Sequence, residues 1–283
     1  MTKSYIEVHI KSFVDAGELL GMLDDQACLG AIETEDGFCL YWPKERWHAG
    51  VLRDLLDALG RLSGSDAVSD AEVVELADQN WNARWAQSLQ PIRLGERILV
   101  RQSWNSASVP DGGFALVIDP KRAFGTGYHA TTQLMASWLE EKVRGGERVL
   151  DVGTGSGILA MAALRLGASY ALGIDNDPEA IECALEYAAA NDFGAELELR
   201  VAAPEDLGSE RFDLVLANLD RNTLLRYLAG FRKHVNAGGM MLISGLQSGD
   251  YQDIFGAAAE SGWRIHGRRE REEWIALELR PEP

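Results

Sequence analysis

Cysteine, long apolar runs and basic residues are all scarce in this 283-residue chain. The three cysteines are odd in number and far apart, and no Cys-x-x-Cys pair occurs, so we expect neither a disulfide framework nor a zinc site. No apolar run approaches the roughly 18 residues of a membrane span, and the first residues lack the apolar stretch of a signal peptide. We therefore expect a cytoplasmic protein with reduced cysteines and no membrane partner.

The shortage of positive charge limits the partners. There are 27 Lys and Arg residues against 44 Asp and Glu residues, which gives a net charge of −17. Affinity for nucleic acid depends mainly on Lys and Arg, so direct nucleic-acid binding is not expected. The balance favours a basic protein partner or a cationic ligand, unless the acidity serves solubility alone.

Residues 1–64 have the pattern of a small α+β domain. Alternating apolar residues in SYIEVHIKSF predict a strand, and helical spacing follows in AGELLGMLDDQ. Two further strands meet at Asp36-Gly37, a dipeptide typical of hairpin turns, and a second amphipathic helix comes after them. The predicted order is β-α-β-β-α.

Residues 65–110 are predicted to be a linker helix with connecting strands. Trp81 and Trp85 lie four residues apart, on one face of the predicted helix, and Pro91 ends it. Such tryptophans are more often packing residues than functional ones.

Residues 111–283 alternate strand-like segments with helices of 10–15 residues. This alternation predicts an α/β fold with a Rossmann-like, mostly parallel sheet. The last segments, RIHGRRE and EEWIALEL, break the rhythm and predict an antiparallel hairpin at the sheet edge.

The stretch VLDVGTGSG, residues 149–157, combines a buried strand with a glycine loop. It departs from the dinucleotide-binding pattern GxGxxG, because Ile158 stands where the third glycine belongs. No Gly-Lys-Ser/Thr follows, so it is not a phosphate-binding P-loop. Asp151 at the strand end would also repel a bound pyrophosphate.

S-adenosylmethionine reverses the sign of that interaction. Its sulfonium and ammonium groups are attracted to Asp151, and the glycines Gly153 and Gly155 let the main chain approach it closely. Asp175 ends the next strand, where a carboxylate can accept hydrogen bonds from both ribose hydroxyls of the cofactor. The pattern predicts a methyltransferase that uses S-adenosylmethionine and no metal.

Several longer motifs resemble the ribosomal protein L11 methyltransferase (PrmA) family. These are AFGTGYHATTQL, VLDVGTGSGILAMAALRLGA, GIDNDPEAI, LVLANL and EEWIALEL, together with NWNARWAQSLQPIRLGERILVRQSW before them. The resemblance implies a small N-terminal substrate-recognition domain, a linker helix and a class I methyltransferase domain. It also implies methylation of lysine or α-amino groups of L11, the eleventh protein of the large ribosomal subunit. Because ribosomal RNA would repel an acidic enzyme, we expect L11 to be bound as a free protein.

The resemblance assigns cofactor contacts motif by motif. In FGTGYHATT it implies a loop that closes over the cofactor, with Phe124, Thr126 and Thr132 involved; Thr132 has the alternative role of helix cap. The other cofactor-binding residues implied or inferred are Asp151, Gly153, Gly155, Asp175 and Asn218.

Two departures from the family pattern lie where we expect the substrate. The family's Thr-His-Pro reads Tyr128-His129-Ala130, and its Asn-Ile-Leu-Ala reads Asn218-Leu219-Asp220-Arg221. For the reaction, Asn218 is expected to position the amine, and His129 and Asp220 are candidate bases. The alternatives are a methyltransferase of a small molecule or of another protein, with the same cofactor domain, and a non-catalytic cofactor-binding protein.

Overall fold

A computed structural model describes residues 4–12, 14, 16–23, 25, 27–34, 37–63, 71–76, 89–121 and 123–282. The chain divides into two compact units, residues 1–88 and 89–283. Within the described part of the chain, every helix is too short or too polar to cross a bilayer. The predicted linker helix with Trp81 and Trp85 lies outside the described residues.

The first unit contains a four-stranded antiparallel sheet and two helices. Its elements are β1 (Tyr5–Ile10), α1 (Ala16–Leu23), β2 (Gly30–Thr34), β3 (Gly37–Pro43), α2 (Ala49–Ser63) and β4 (Ala71–Leu76). The strand order is β2-β3-β1-β4. The order β-α-β-β-α predicted for residues 1–64 is confirmed, and Thr34 pairs with Gly37 at the predicted hairpin, whose Asp36 lies outside the described residues.

The strand β4 corrects the predicted connector. Residues 65–110 were expected to join two domains, yet β4 pairs with β1 along its whole length, from Tyr5 opposite Leu76 to Ile10 opposite Ala71. The segment AEVVEL is therefore the edge strand of the first unit's sheet. Alternation alone could not show this, because a strand's partner depends on contacts distant in sequence.

The second unit contains the predicted Rossmann-like sheet. Its strands are β8 (Arg148–Val152), β9 (Tyr170–Asp175), β10 (Leu197–Val201), β11 (Phe212–Asn218), β12 (Val235–Gln247), β13 (Trp263–Arg271) and β14 (Trp274–Pro281). The order is β10-β9-β8-β11-β12-β14-β13, and β14 alone runs in the opposite direction to the other six strands. The predicted edge hairpin, β13–β14, is confirmed; its turn includes Glu272 at φ 56°.

Helices cover both faces of this sheet. They are α3 (Ala130–Lys142), α4 (Ile158–Leu166), α5 (Pro178–Ala190), α6 (Arg221–Phe231) and α7 (Tyr251–Glu260). Two clusters of buried side chains result, one containing Leu139 and Met161 and the other containing Leu228 and Ile254. The sheet is therefore buried on both sides, as parallel sheets normally are.

A separate three-stranded sheet precedes the large one. It consists of β5 (Ile92–Arg93), β6 (Ile98–Arg101) and β7 (Phe114–Val117). The segment FALVIDP, the first strand-like segment of residues 111–283, pairs with β6 and not with the large sheet. The side chain of Asn191, after α5, holds it there: its Oδ1 accepts from the Val117 N–H at 2.7 Å and its Nδ2 donates to the Val117 carbonyl at 2.9 Å.

Candidate active site

The carboxyl ends of β8, β9, β10 and β11 meet at one edge of the large sheet. Chain order reverses between β8 and β11, and such a switch point is where open α/β sheets bind ligands. A cleft of about 380 Å³ opens beside it. Its lining residues are Val152, Gly153, Ile174, Asp175, Asn176, Ala202, Ala203, Pro204, Leu219, Thr223 and Tyr227.

The glycine loop after β8 has a backbone that other residues rarely adopt. Gly153, Gly155 and Gly157 have φ of 65°, 54° and 77°, all in the left-handed region. A Cβ on Gly153 would lie 2.4 Å from Cδ2 of Leu219, and one on Gly155 would lie 2.5 Å from the Phe124 carbonyl oxygen. The glycines therefore give the loop both its shape and its close contacts.

The predicted cofactor loop is FGTGYHATT, residues 124–132, and the part of it before α3 lies within residues 123–129, which pack directly on the glycine loop. The Ser156 N–H donates to the Phe124 carbonyl at 2.9 Å, and the Ser156 hydroxyl donates to the Gly125 carbonyl at 2.7 Å. Thr126 is half-buried, whereas the Phe124 ring is 56% exposed. The structure thus brings the FGTGYHATT and VLDVGTGSG motifs together.

Asp175 lies at the end of β9 and borders the cleft. One carboxylate oxygen accepts from the Gly155 N–H at 3.0 Å, and the other accepts from the Asp177 N–H at 3.0 Å. These bonds fix the carboxylate beside the glycine loop and leave lone pairs for further donors.

Asp151 lies deeper than the prediction implied. Its side chain is buried, accepts from the Thr154 hydroxyl at 2.7 Å, and is not among the residues that line the cleft. Burial raises the pKa of Asp151 to about 6, against the lowering effect of its hydrogen bonds to Thr154 and the Ala160 backbone. Asp151 therefore stabilises the glycine loop from inside the fold, through its hydrogen bond with Thr154.

Asn218 and His129 are linked through Thr131, which was not predicted to belong to the site. The Asn218 Nδ2 donates to the Thr131 hydroxyl oxygen at 3.1 Å, and that oxygen lies 2.8 Å from Nδ1 of His129. Since the amide nitrogen is engaged, Oδ1 of Asn218 is oriented as an acceptor. His129 is also the N-cap of α3, since its side chain accepts from the Thr131 N–H.

Three aromatic rings form one group beside this chain of hydrogen bonds. His129 makes edge-to-face contacts with Trp274, at 4.7 Å between ring centroids, and with Phe124, at 5.4 Å. Trp274 begins β14 and was not predicted as a site residue, although it belongs to the EEWIALEL motif. These contacts hold the His129 ring in place.

Thr132 does not cap the helix, because His129 does. Its hydroxyl oxygen is buried, and in the described part of the chain it is one of only two buried side-chain polar atoms without a hydrogen-bond partner. An unsatisfied buried hydroxyl needs an explanation in a native fold, and a missing ligand is one.

Asp220 is a helix cap rather than a free base. Its Oδ1 accepts from the N–H groups of Asn222 and Thr223, and its Oδ2 accepts from the Thr223 hydroxyl, so it begins α6. The Thr223 hydroxyl, followed by these backbone bonds, lowers the pKa of Asp220. The neighbouring Arg221 pairs with Asp253.

Tyr128 bonds to the segment before β5 and the one after β6. Its hydroxyl donates to the Gln90 carbonyl and accepts from Nε2 of the fully buried Gln102 at 3.0 Å. Gln102 in turn accepts from Asn105. This departure from the family pattern, expected at the substrate, therefore has a structural role within the second unit.

The cleft also contains residues with no sequence signal of their own. Ala202 and Ala203 follow β10, and Tyr227 lies on α6. Small or apolar residues in these places look like ordinary packing in a sequence. Only the position of the β10 strand end, next to Asp175, would have indicated them.

Comparisons with known proteins agree with the motifs. The model of the family described as ribosomal protein L11 methyltransferase (PrmA) matches residues 41–282. The ribosomal protein L11 methyltransferase of Chromohalobacter salexigens is 39% identical over 208 residues, which cover 74% of this chain and 68% of that protein. The ribosomal protein L11 methyltransferase of Cupriavidus pinatubonensis is 40% identical over 215 residues, which cover 76% of this chain and 70% of that protein. The crystal structure of a ribosomal protein L11 methylase from Lactobacillus delbrueckii subsp. bulgaricus has 31% identity and a TM-score of 0.65, covering 69% of this chain and 100% of that one.

The burial of Asp151 predicts a pH-dependent stability. Its folded-state pKa of about 6 lies above its ordinary value of 3.8, so between these values the folded protein holds a proton that the unfolded chain has released. This group therefore favours folding more as the pH falls through 6. We expect Asp151→Asn to stabilise the protein at pH 8, and this gain in unfolding free energy to shrink at pH 4.5, as measured by urea unfolding. Asp111→Asn, in an exposed turn, controls for the loss of one negative charge. A gain that is equal at both pH values would contradict the expectation.

Proposed function

The chain belongs to the ribosomal protein L11 methyltransferase (PrmA) family, and we propose that it transfers methyl groups from S-adenosylmethionine to lysine or α-amino groups of L11. The observation that carries the proposal is the meeting, at one sheet edge, of the glycine loop, the Asp175 carboxylate and the Asn218 amide. The same proposal assigns the enzyme to the cytoplasm, where it meets L11 before ribosome assembly.

The residues around the cleft fit S-adenosylmethionine. Asp175 is suited to accept hydrogen bonds from the ribose hydroxyls, and the surfaces of Ala202 and Ala203 suit the flat adenine ring. Gly153 lines the cleft and carries no Cβ, which suits a close approach of the methionine part to the main chain. The unsatisfied Thr132 hydroxyl is a further candidate contact. When bound, the cofactor supplies an electrophilic methyl group on a cationic sulfur.

The protein's part in the reaction is to orient a neutral amine. A free lysine has a pKa near 10.4, and desolvation in a cleft lowers it. Oδ1 of Asn218, fixed by the bond from Nδ2 to Thr131, is suited to accept an amine hydrogen and so to aim the nitrogen lone pair. Asp220 is unsuited to act as a base, since its carboxylate caps α6 and its pKa is lowered.

The aromatic group supports a lysine side chain as the substrate. Phe124, His129 and Trp274 offer ring faces and edges beside Asn218, where lysine methylenes can pack. Aromatic faces also attract ammonium groups, which helps a lysine to enter. His129 is proposed to orient Thr131 rather than to remove a proton.

The charge of the chain supports a basic protein as the partner. Residues 1–64 contain six Lys and Arg residues against eleven Asp and Glu residues, a balance of −5, and the whole chain carries −17. Such a surface attracts a lysine-rich protein and repels ribosomal RNA. We therefore propose that residues 1–64 recognise L11 as a free protein, and that residues 111–283 hold the catalytic domain.

The first prediction of this proposal concerns the cofactor. Asp175→Ala is expected to weaken S-adenosylmethionine binding at least tenfold, or about 1.4 kcal/mol, because charge-assisted bonds to the ribose are lost. Isothermal titration calorimetry measures this. Asp177→Ala is the matched control, because that carboxylate caps α5 through the Glu179 N–H and does not line the cleft. Unchanged affinity in Asp175→Ala would refute the assignment.

The second prediction concerns the amine. Asn218→Ala is expected to lower kcat by a factor of about 10 to 100, and to lower cofactor affinity by less, because the lost oxygen orients the amine. Asn222→Ala removes an exposed amide in the first turn of α6 and serves as the control. If kcat were unchanged while cofactor affinity fell, Asn218 would be a cofactor ligand only.

The third prediction concerns the substrate. In a strain that lacks this gene, L11 is expected to lose methyl groups, which intact-mass and peptide mass spectrometry detect directly. Supplying the wild-type gene should restore them, whereas the Asn218→Ala gene should restore few. A methylation pattern of L11 that does not change on deletion would exclude L11 as the substrate and leave the methyltransferase assignment standing.

A further inference from the structure

One face of the first unit's sheet carries a cluster of metal-binding side chains. In β1 the residues Ile6, Val8 and Ile10 are buried in the core of the unit, so the alternate residues Glu7 and His9 point to the other face. On that second face, His9 lies directly opposite Cys39 of β3.

The three side chains are close enough to share one ion. The carboxylate of Glu7, the imidazole of His9 and the sulfur of Cys39 each offer an atom that lies within 4.8 Å of the others. In the part of the chain that is described, no other group of three His, Cys, Asp or Glu residues meets this condition. Nε2 of His9 and Oε1 of Glu7 are 2.6 Å apart, which already brings two of the donors together.

We propose that Glu7, His9 and Cys39 bind a zinc ion. Zinc takes sulfur at about 2.3 Å and nitrogen or oxygen at about 2.0–2.2 Å, so tetrahedral ligand atoms lie roughly 3.3–3.8 Å from one another. The present spacing, from 2.6 Å between His9 and Glu7 to at most 4.8 Å within the set, brackets that range. A mixed set of sulfur, nitrogen and oxygen favours zinc over Mg²⁺ or Ca²⁺, which prefer oxygen alone.

Charge and surroundings agree with this choice. A carboxylate and a thiolate together neutralise a divalent ion, and the imidazole binds as the neutral form. Cys39 is buried, and Tyr41, two residues along the same strand, makes a side-chain hydrogen bond to it. Glu72 of β4 lies opposite His9 on its other side, which adds a second carboxylate nearby. The fourth position is left for water.

The zinc site has a separate role from methyl transfer. Glu7 and His9 belong to β1 and Cys39 to β3, so the ion links two neighbouring strands of the first unit's sheet. Binding to the folded form alone stabilises it by mass action. The lack of a Cys-x-x-Cys pair argues only against ligands close in sequence, whereas this proposed set forms across strands.

Metal binding by the full-length protein tests the proposal. After removal of any affinity tag, chelator treatment, reconstitution with Zn²⁺ and desalting, we expect one Zn²⁺ per chain by elemental analysis. Co²⁺ in its place should give a thiolate-to-cobalt charge-transfer band in the near ultraviolet. Cys39→Ser should abolish that band, and Cys39→Ser, His9→Gln and Glu7→Gln should each weaken Zn²⁺ binding at least tenfold in competition with a chromophoric chelator.

Cys28→Ser is the matched control, because Cys28 lies in the same unit but packs against its core. It should keep both the band and the affinity. Far-ultraviolet circular dichroism checks the folding of every variant, and Glu7→Gln and His9→Gln replace side chains that are not buried, so the test does not depend on Cys39→Ser alone. Less than one tenth of an equivalent of bound Zn²⁺, or a cobalt band that persists in Cys39→Ser, would overturn the proposal.

Discussion

The close contact between the glycine loop and residues 123–129 is the constraint on which the site depends. The Phe124 carbonyl occupies the space that a Cβ on Gly155 would need, and the Gly155 N–H is bonded to Asp175. One residue thus sets the position of both the loop before α3 and the acid at the end of β9. Because His129 ends that loop and caps α3, the bonds from His129 through Thr131 to Asn218 follow from the same contact.

The burial of Asp151 bears on which ligand the loop can hold. A carboxylate with a pKa raised to about 6 is already costly to ionise where it lies, and the nearby Asp175 adds to the cost. A pyrophosphate would bring more negative charge to the same place, whereas a sulfonium and an ammonium would offset it. The electrostatics of the loop therefore favour a cationic ligand, which supports S-adenosylmethionine over a dinucleotide.

The sequence predicted the features that depend on local pattern. The glycine loop, the acid at the end of β9 and the terminal hairpin each depend on residues that are adjacent in sequence. The Rossmann-like sheet follows from the alternation of strand-like and helix-like segments. The pairing of β4 with β1 and of β7 with β6 could not be predicted, because pairing is decided by distant packing. For the same reason Thr131 and Trp274 could not be predicted as site residues, since the bond from Asn218 to Thr131 and the contact of Trp274 with His129 join segments distant in sequence. The bonds of Asp220 to Asn222 and Thr223 are local, and they give this candidate base a capping role.

The two residues considered as bases, His129 and Asp220, both prove to be N-caps, of α3 and α6. Asn218 lies between them, bonded to Thr131 in the first turn of α3 and three residues before α6 begins. Helix N-termini carry partial positive charge, which opposes an ammonium and favours a neutral amine. In the proposed reaction the start of α3 would thus help a lysine to lose its proton to water, whereas at α6 the Asp220 carboxylate offsets the helix charge. Asn218 would only need to accept one of the hydrogens that remain.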